Sequence, residues 1–171
     1  MIEEILKAIW FIFPAYIANA SPPVISRLER LQKHNKPIDF GKLWRGKEIF
    51  GKGKTWNGLI FGVLAGTIFG ALQGLTGIEP LITIKLAFMM SFGALVGDMI
   101  GSFVKRRLNM KRGKHLPLVD QLDFILGAFL FASFVIEINF TNLIILLIIT
   151  PLIHILTNRI GYKLKLKREP W

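Results

Sequence analysis

The sequence predicts an all-α, polytopic membrane protein that forms a single membrane-embedded domain over residues 1–171. Three observations support this fold class. First, 52% of the residues are hydrophobic and the mean hydropathy is +0.49, which is too apolar for an ordinary soluble domain of this size. Second, five apolar segments each have the length, about 20 residues, that crosses a bilayer. Third, most cations lie in alternate connections between these segments.

The first two predicted spans cover residues 5–25 and 56–75. The first contains three prolines, and the acidic start of the chain argues against a cleaved signal peptide. In the second, glycine recurs at every fourth position from Gly58 to Gly74. Residues four apart share a helix face, so this stripe of small residues predicts close packing against another helix.

The remaining predicted spans cover residues 80–104, 122–138 and 140–160, and Pro151 is expected to bend the last of them. The five spans follow one another with short or moderate connections, and no soluble module is appended. The sequence therefore predicts five transmembrane helices.

The distribution of Lys and Arg predicts the orientation of these helices. Nine cations lie in residues 27–54, six in residues 105–114 and five from residue 159 onward, whereas the two short connections between them carry none. By the positive-inside rule the basic segments face the cytoplasm. We therefore expect an external N-terminus, a cytoplasmic C-terminus and two long cytoplasmic loops, at residues 28–54 and 105–120.

Net charge and cysteine content exclude several classes of function. With 22 Lys and Arg against 11 Asp and Glu, the formal charge is +11, which in a soluble protein would suggest nucleic acid. Beside such long apolar segments the charge instead indicates a membrane surface or an anionic ligand, so we expect membrane lipids and no nucleic acid as partners. The chain has no cysteine, which excludes disulfides, thiolate catalysis and cysteine-based zinc sites.

Three carboxylates stand where two predicted spans meet the cytoplasm. Asp98, Ser102 and Lys105 are spaced to share one helix face, as are Asp120 and Asp123 at the start of the next span. Because one span enters the cytoplasmic face where the other leaves it, the three aspartates can converge. Hard oxygen ligands of this kind suit Mg²⁺ together with phosphate oxygens.

Simpler interpretations of these residues stay open. Asp98 could form a structural ion pair with Arg106, and Asp120 and Asp123 could be acids favoured by a helix N-terminus. The basic run that begins at Lys105 could be a topology anchor or a contact for lipid headgroups. A transporter or channel with Asp98 and His154 lining its path is the alternative from another functional class.

A second basic segment, residues 51–58, leads into the second span. Its spacing superficially fits a phosphate-binding P-loop, but Gly53 stands where Ser or Thr is required and no βαβ unit precedes it. A glycine-containing, basic entry into a helix is still suited to anions, since free backbone N–H groups and the helix dipole point at the ligand. Membrane anchoring is the alternative here.

These motifs together resemble the CTP-dependent phosphatidate cytidylyltransferase superfamily, in the form of its archaeal branch, the CDP-archaeol synthases. The resemblance extends over nearly the whole chain. It is carried by Gly97-Asp98 with Ser102, Lys105 and Arg106, by Pro117 with Asp120-Gln121-Leu122-Asp123, by Lys54-Thr55-Trp56-Asn57-Gly58, and by Asn19-Ala20-Ser21-Pro22-Pro23.

The resemblance implies an enzyme that transfers CMP from CTP to a prenylated glycerol ether phosphate, 2,3-bis-O-geranylgeranyl-glycerol phosphate, at the cytoplasmic face of the cell membrane. It implies that Asp98, Asp120 and Asp123 hold Mg²⁺ and that Lys105 is catalytic with them. Lys54, Lys105 and Arg106 would address phosphates. The other matched residues implied to bind substrate are Asn19, Thr55, Asn57, Gly58 and Ser102.

Overall fold

The computed structural model describes residues 2–28, 35–78, 82–111 and 113–165, and helices make up most of them. Four of the helices in these ranges are long and apolar enough to cross a membrane. Another helix, which has 14 residues, is shorter. In chain order the helices are α1 (Ile2–Ile25), α2 (Trp56–Gly74), α3 (Ile84–Arg107), α4 (Val119–Ala132) and α5 (Phe140–Lys163).

A small antiparallel hairpin, which no sequence pattern predicted, lies between α1 and α2. Its strands are β1 (Leu43–Trp44) and β2 (Lys47–Glu48), with Trp44 opposite Lys47. The two turn residues, Arg45 and Gly46, both have positive φ, at 52° and 74°. This backbone is typical of the tight turn that matches the twist of a two-residue hairpin.

Polar side chains fix where three of the helices begin. Thr55 accepts a hydrogen bond from the Gly58 N–H at the start of α2, and Thr83 accepts one from Leu86 at the start of α3. Asn139 caps α5 in the same way. Such caps satisfy backbone donors that have no partner in the first turn.

The predicted spans correspond to these helices with one correction. Helices α1, α2 and α5 match their predictions to within about one turn, and α3 ends one turn later than predicted; its predicted start at Pro80 lies outside the described residues. The prediction of a helix over residues 122–138 is wrong in its bounds, because α4 begins at Val119 and ends at Ala132. Turns follow, in which Ser133 Oγ donates to the Leu130 carbonyl.

The glycine stripe of α2 packs as predicted between α1 and α3. A Cβ atom at Gly62 would meet Leu95 of α3 and the Ala18 carbonyl of α1, and one at Gly66 would overlap with Ser91 and the Pro14 carbonyl. The three backbones therefore approach as closely as glycine permits.

Glycines also bring α3 and α4 together in antiparallel fashion. Gly97 lies against the backbone of Asp123, and Gly93 against the backbone of Gly127. A core of apolar side chains from α1, α3, α4 and α5 surrounds this contact, and Phe124, Met90 and Leu86 are fully buried in it. This packing sets the start of α4 beside the end of α3, where the charged residues lie.

Candidate active site at one end of the helix bundle

The predicted site residues lie where α1 and α3 end and where α2 and α4 begin. Pro22 near the end of α1 is beside Gly58 at the start of α2, where a Cβ would come within 3.3 Å of the proline ring. Asp123 near the start of α4 is beside Gly101 near the end of α3, where a Cβ would overlap with the carboxylate. Four helix ends therefore surround one small region.

Lys54 and Asp98 form an ion pair across this region. The Lys54 ammonium donates to Asp98 Oδ2, and the two side chains are 23% and 28% exposed. Beside the pair is a cleft whose walls include Pro22 of α1, Leu59 of α2 and Leu95 of α3. The pair thus joins the loop before α2 to the C-terminal half of α3, and Asp98 pairs with Lys54 instead of with Arg106.

A second ion pair joins α3 to the start of α4. Lys105 Nζ lies 2.7 Å from Asp120 Oδ1, and both side chains are 16% exposed. The other oxygen of Asp120 accepts a hydrogen bond of 3.0 Å from the Leu116 N–H. Asp120 therefore anchors both the chain that leads into α4 and the end of α3.

Asp123 lies between the two ion pairs. One of its oxygens faces Gly101 and the other accepts a hydrogen bond of 2.7 Å from the Phe124 N–H. The charges of Asp98, Lys54 and Asp120 all act on its carboxyl group. The three aspartates and Lys54 therefore share one electrostatic environment, although their residue numbers span 70 positions.

Lys54 and Lys105 form ion pairs with two of the three carboxylates that were predicted as metal ligands. Across the described part of the chain, no three His, Asp or Glu side chains come together in a group that could hold a metal ion. Asp98 and Asp120 instead bind an ammonium group each, with Asp123 between them. The site therefore consists of two ion pairs, Lys54–Asp98 and Lys105–Asp120, with the Asp123 carboxylate close to both.

Only some of the predicted substrate-binding residues border the cleft. Thr55 caps α2, and the Asn57 N–H donates to Asn35 Oδ1 over 3.4 Å. Ser102 is buried in α3, one helical turn beyond Asp98. Asn19 is half-buried in α1, and none of the contacts within the described ranges joins it to the carboxylates. Lys54, Thr55 and Gly58 border the cleft, while Asn19 does not.

The basic triplet at the end of α3, which consists of Lys105, Arg106 and Arg107, makes contacts in three different directions. Lys105 reaches Asp120, Arg106 lies against Gly51 in the loop, and Arg107 reaches the carbonyls of the hairpin. Successive residues on a helix point about 100° apart, so three neighbours can serve three different contacts. The triplet is therefore built into the fold in addition to any role as a topology anchor.

Asp39 is a structural residue of the first loop that was not among the residues predicted from the sequence. It is 7% exposed and accepts hydrogen bonds from the N–H groups of Gly41, Phe50 and Gly51. Burial alone would raise the pKa of this carboxyl group, but these backbone hydrogen bonds outweigh burial and lower the pKa below its usual value. The only sequence signal was an Asp two residues before a Gly, which is typical of an Asx turn.

Comparison with known proteins identifies the family. A family model described as CarS-like, CDP-archaeol synthase, matches residues 1–171. The chain is 45% identical over 174 residues to the CDP-archaeol synthase of Pyrococcus abyssi, with 99% of each chain covered. It is 46% identical over 178 residues to that of Pyrococcus horikoshii, which covers 99% of this chain and 98% of the relative. The chain belongs to the CDP-archaeol synthase family.

A solved structure extends this family assignment to the fold. It is described as an intramembrane enzyme for archaeal membrane lipids biosynthesis, and it matches with a TM-score of 0.77 and 36% identity over 90% of this chain and 94% of that one. The predicted resemblance is therefore confirmed: the chain is a nucleotidyltransferase of lipid biosynthesis in a multi-pass membrane fold. The transporter alternative loses its basis, since Asp98 pairs with Lys54 while His154 contacts Asn158 and Phe124.

Proposed function

We propose that this chain transfers CMP from CTP to 2,3-bis-O-geranylgeranyl-glycerol phosphate and releases pyrophosphate. One observation supports the proposal above all others: the Lys54–Asp98 pair, the Lys105–Asp120 pair and Asp123 lie together at one end of the bundle. Cations and carboxylates in this arrangement suit a reaction in which two phosphate-bearing substrates meet. Family membership selects this reaction from among phosphoryl and nucleotidyl transfers.

The reaction needs charge stabilisation more than a general base. An ionised oxygen of the lipid phosphate would attack the α-phosphorus of CTP, and the bond to the β-phosphate would break as pyrophosphate leaves. The attacking oxygen already carries charge near neutral pH, so no side chain has to remove a proton. Catalysis then depends on positioning and on neutralising the phosphates. This agrees with the charged groups that pair in the site, which are lysines and aspartates.

The two lysines have the place and the charge to bind these phosphates. We propose that Lys54 and Lys105, with Arg106, shift from their present partners to phosphate oxygens when the substrates bind. Residues Asn19, Thr55, Asn57, Gly58 and Ser102 are proposed to complete the substrate site. The cleft that Lys54 and Asp98 border would admit part of a substrate next to the reacting groups.

The donor set fits Mg²⁺, because it offers only hard carboxylate oxygens and an excess of negative charge. We propose that Asp98, Asp120 and Asp123 hold this ion once Lys54 and Lys105 have moved to the phosphates. When bound, Mg²⁺ would supply neutralisation of the charge on the phosphates. By the distribution of cations this site faces the cytoplasm, where CTP is available.

The experiment is a transfer assay on purified protein in lipid nanodiscs with CTP, Mg²⁺ and the prenyl ether lipid phosphate. We expect pyrophosphate and the CDP-lipid to form in equal amounts, and Asp123→Asn to reduce the rate at least about 100-fold. Glu3→Gln is the matched control, since Glu3 pairs with Lys7 at the opposite end of α1. A folded wild-type protein that forms no CDP-lipid would contradict the proposal.

A further inference from the structure

Arg107, at the end of α3, binds the backbone of the hairpin. Its guanidinium donates to the carbonyls of Trp44 at 2.7 Å, Lys47 at 3.3 Å and Glu48 at 2.5 Å. In the opposite direction, Lys47 Nζ donates a hydrogen bond of 3.0 Å to the Arg107 carbonyl. One side chain of α3 thereby holds both strands of the hairpin.

Aromatic contacts also attach the hairpin to α3. The Trp44 ring stacks on Phe103 of α3, with centroids 5.4 Å apart and planes at 22°. The Arg107 guanidinium carbon lies 5.1 Å from the centroid of each ring. Cation–π attraction to two rings and donation to three carbonyls restrict the guanidinium to one orientation.

A series of hydrogen bonds connects the hairpin to Lys54 along the loop. Asp39 binds the N–H groups of Phe50 and Gly51, just after the hairpin. The Lys54 N–H then donates to the Gly51 carbonyl, and the Lys54 carbonyl accepts from the Ile38 N–H. The backbone on both sides of Lys54 is therefore tied to the loop whose hairpin Arg107 holds against α3.

We propose that Arg107 is a positioning residue that holds the loop on α3 and so sets the Lys54 ammonium beside Asp98. The inference rests on the proposed function only for the role of Lys54 at substrate phosphate. Arginine is required because the three carbonyls are met by a planar group with several fixed N–H donors. Lysine has the charge but cannot reproduce that fork.

The test compares Arg107→Lys with the matched control Arg45→Lys in the full-length protein. Arg45 lies 5.2 Å from the centroid of the same Trp44 ring, on the exposed turn of the hairpin. Hydrogen–deuterium exchange in nanodiscs should show the amides of Gly51 and Lys54 exchanging about tenfold faster in Arg107→Lys, which corresponds to the loss of about one charge-assisted hydrogen bond. The control and the amides of α5 should not change.

Kinetics supply the second readout. Arg107→Lys should raise the KM for CTP about tenfold with a smaller change in kcat, and it should have little further effect in a Lys54→Met background, since both act through one contact. Unchanged exchange in Arg107→Lys would overturn the inference, as would fully additive effects of the two substitutions on KM. A wild-type protein without transfer activity would instead contradict the proposed function, and the exchange result would still decide whether Arg107 orders the loop.

Discussion

At the scale of single residues, the site is a balance of opposite charges held away from bulk water. Lys105 and Asp120 are each 16% exposed, so either charge alone would be poorly solvated. Removing one partner of such a pair costs more than removing both, because a lone charge stays behind in a weakly polar environment. The same reasoning applies to Lys54 and Asp98, which are somewhat more exposed.

The Lys105–Asp120 pair can be tested with a double-mutant cycle. We expect Lys105→Met to lower the free energy of unfolding by about 2–5 kcal/mol, and the double variant Lys105→Met/Asp120→Asn to lose clearly less than the sum of the single changes. Thermal unfolding in detergent measures the effect. The control is Lys7→Met, which breaks a pair whose side chains are 62% and 79% exposed and which should cost at most about 1 kcal/mol. Additive single effects would exclude the coupling.

At the scale of the elements, glycine decides how closely the helices approach. The stripe on α2 lets Ser91 of α3 and the Pro14 carbonyl of α1 occupy the space that a Cβ would fill at Gly66. A second set, Gly93 and Gly97, does the same between α3 and α4. The aspartates converge because the second contact sets α4 against α3, while the first sets the start of α2, with Lys54 just before it, beside the same helix.

Enlarging a stripe glycine should therefore destabilise the bundle. We expect Gly66→Leu to cost more than the ~1–3 kcal/mol that is usual when a packed core is overfilled, since a backbone carbonyl has to move as well as a side chain. Leu72→Phe is the matched control, because it adds bulk to the same helix at a position that is 59% exposed. The measurement is the melting temperature of each variant in detergent. Equal melting temperatures would show that the stripe does not set the packing.

At the scale of the whole molecule, the short helix α4 decides how often the chain crosses the membrane. Helix α4 has 14 residues and spans about 21 Å, less than the ~30 Å of a hydrocarbon core. The turns that follow still pack on the core, through Val135, Ile136 and Ile138. Since α4 also runs antiparallel to α3, we propose that α4 and these turns cross the membrane together.

Cysteine labelling tests this topology directly, because the natural chain has no cysteine. We expect a membrane-impermeant maleimide to label Glu4→Cys on intact cells, and to label Lys52→Cys and Leu164→Cys only after permeabilisation. The residue after α5, Leu164, discriminates between four and five crossings. Its labelling on intact cells would mean that α4 does not cross, while the cysteine-free parent controls for background.

Much of this architecture follows from the sequence alone. Apolar segments of membrane-spanning length predicted α1, α2, α3 and α5, because the bilayer requires continuous apolar helices and leaves few alternatives. The four-residue spacing of the glycines predicted which face of α2 packs closely against other helices, because residues four apart lie on one face of a helix. The end of α4 was predicted too late, because apolar residues such as Phe134 and Val135 continue past Ala132 in packed turns.

Which charges meet was decided by the tertiary structure. The sequence placed Asp98, Asp120 and Asp123 at one membrane face and allowed an ion pair with Arg106, but Asp98 meets Lys54, 44 positions away. The hairpin, the Asp39 contacts and the division of the basic triplet were likewise unpredictable. Periodicity determines which face of a helix a residue lies on, whereas the partner of a charged side chain depends on how closely two helices approach and how the loop between them folds.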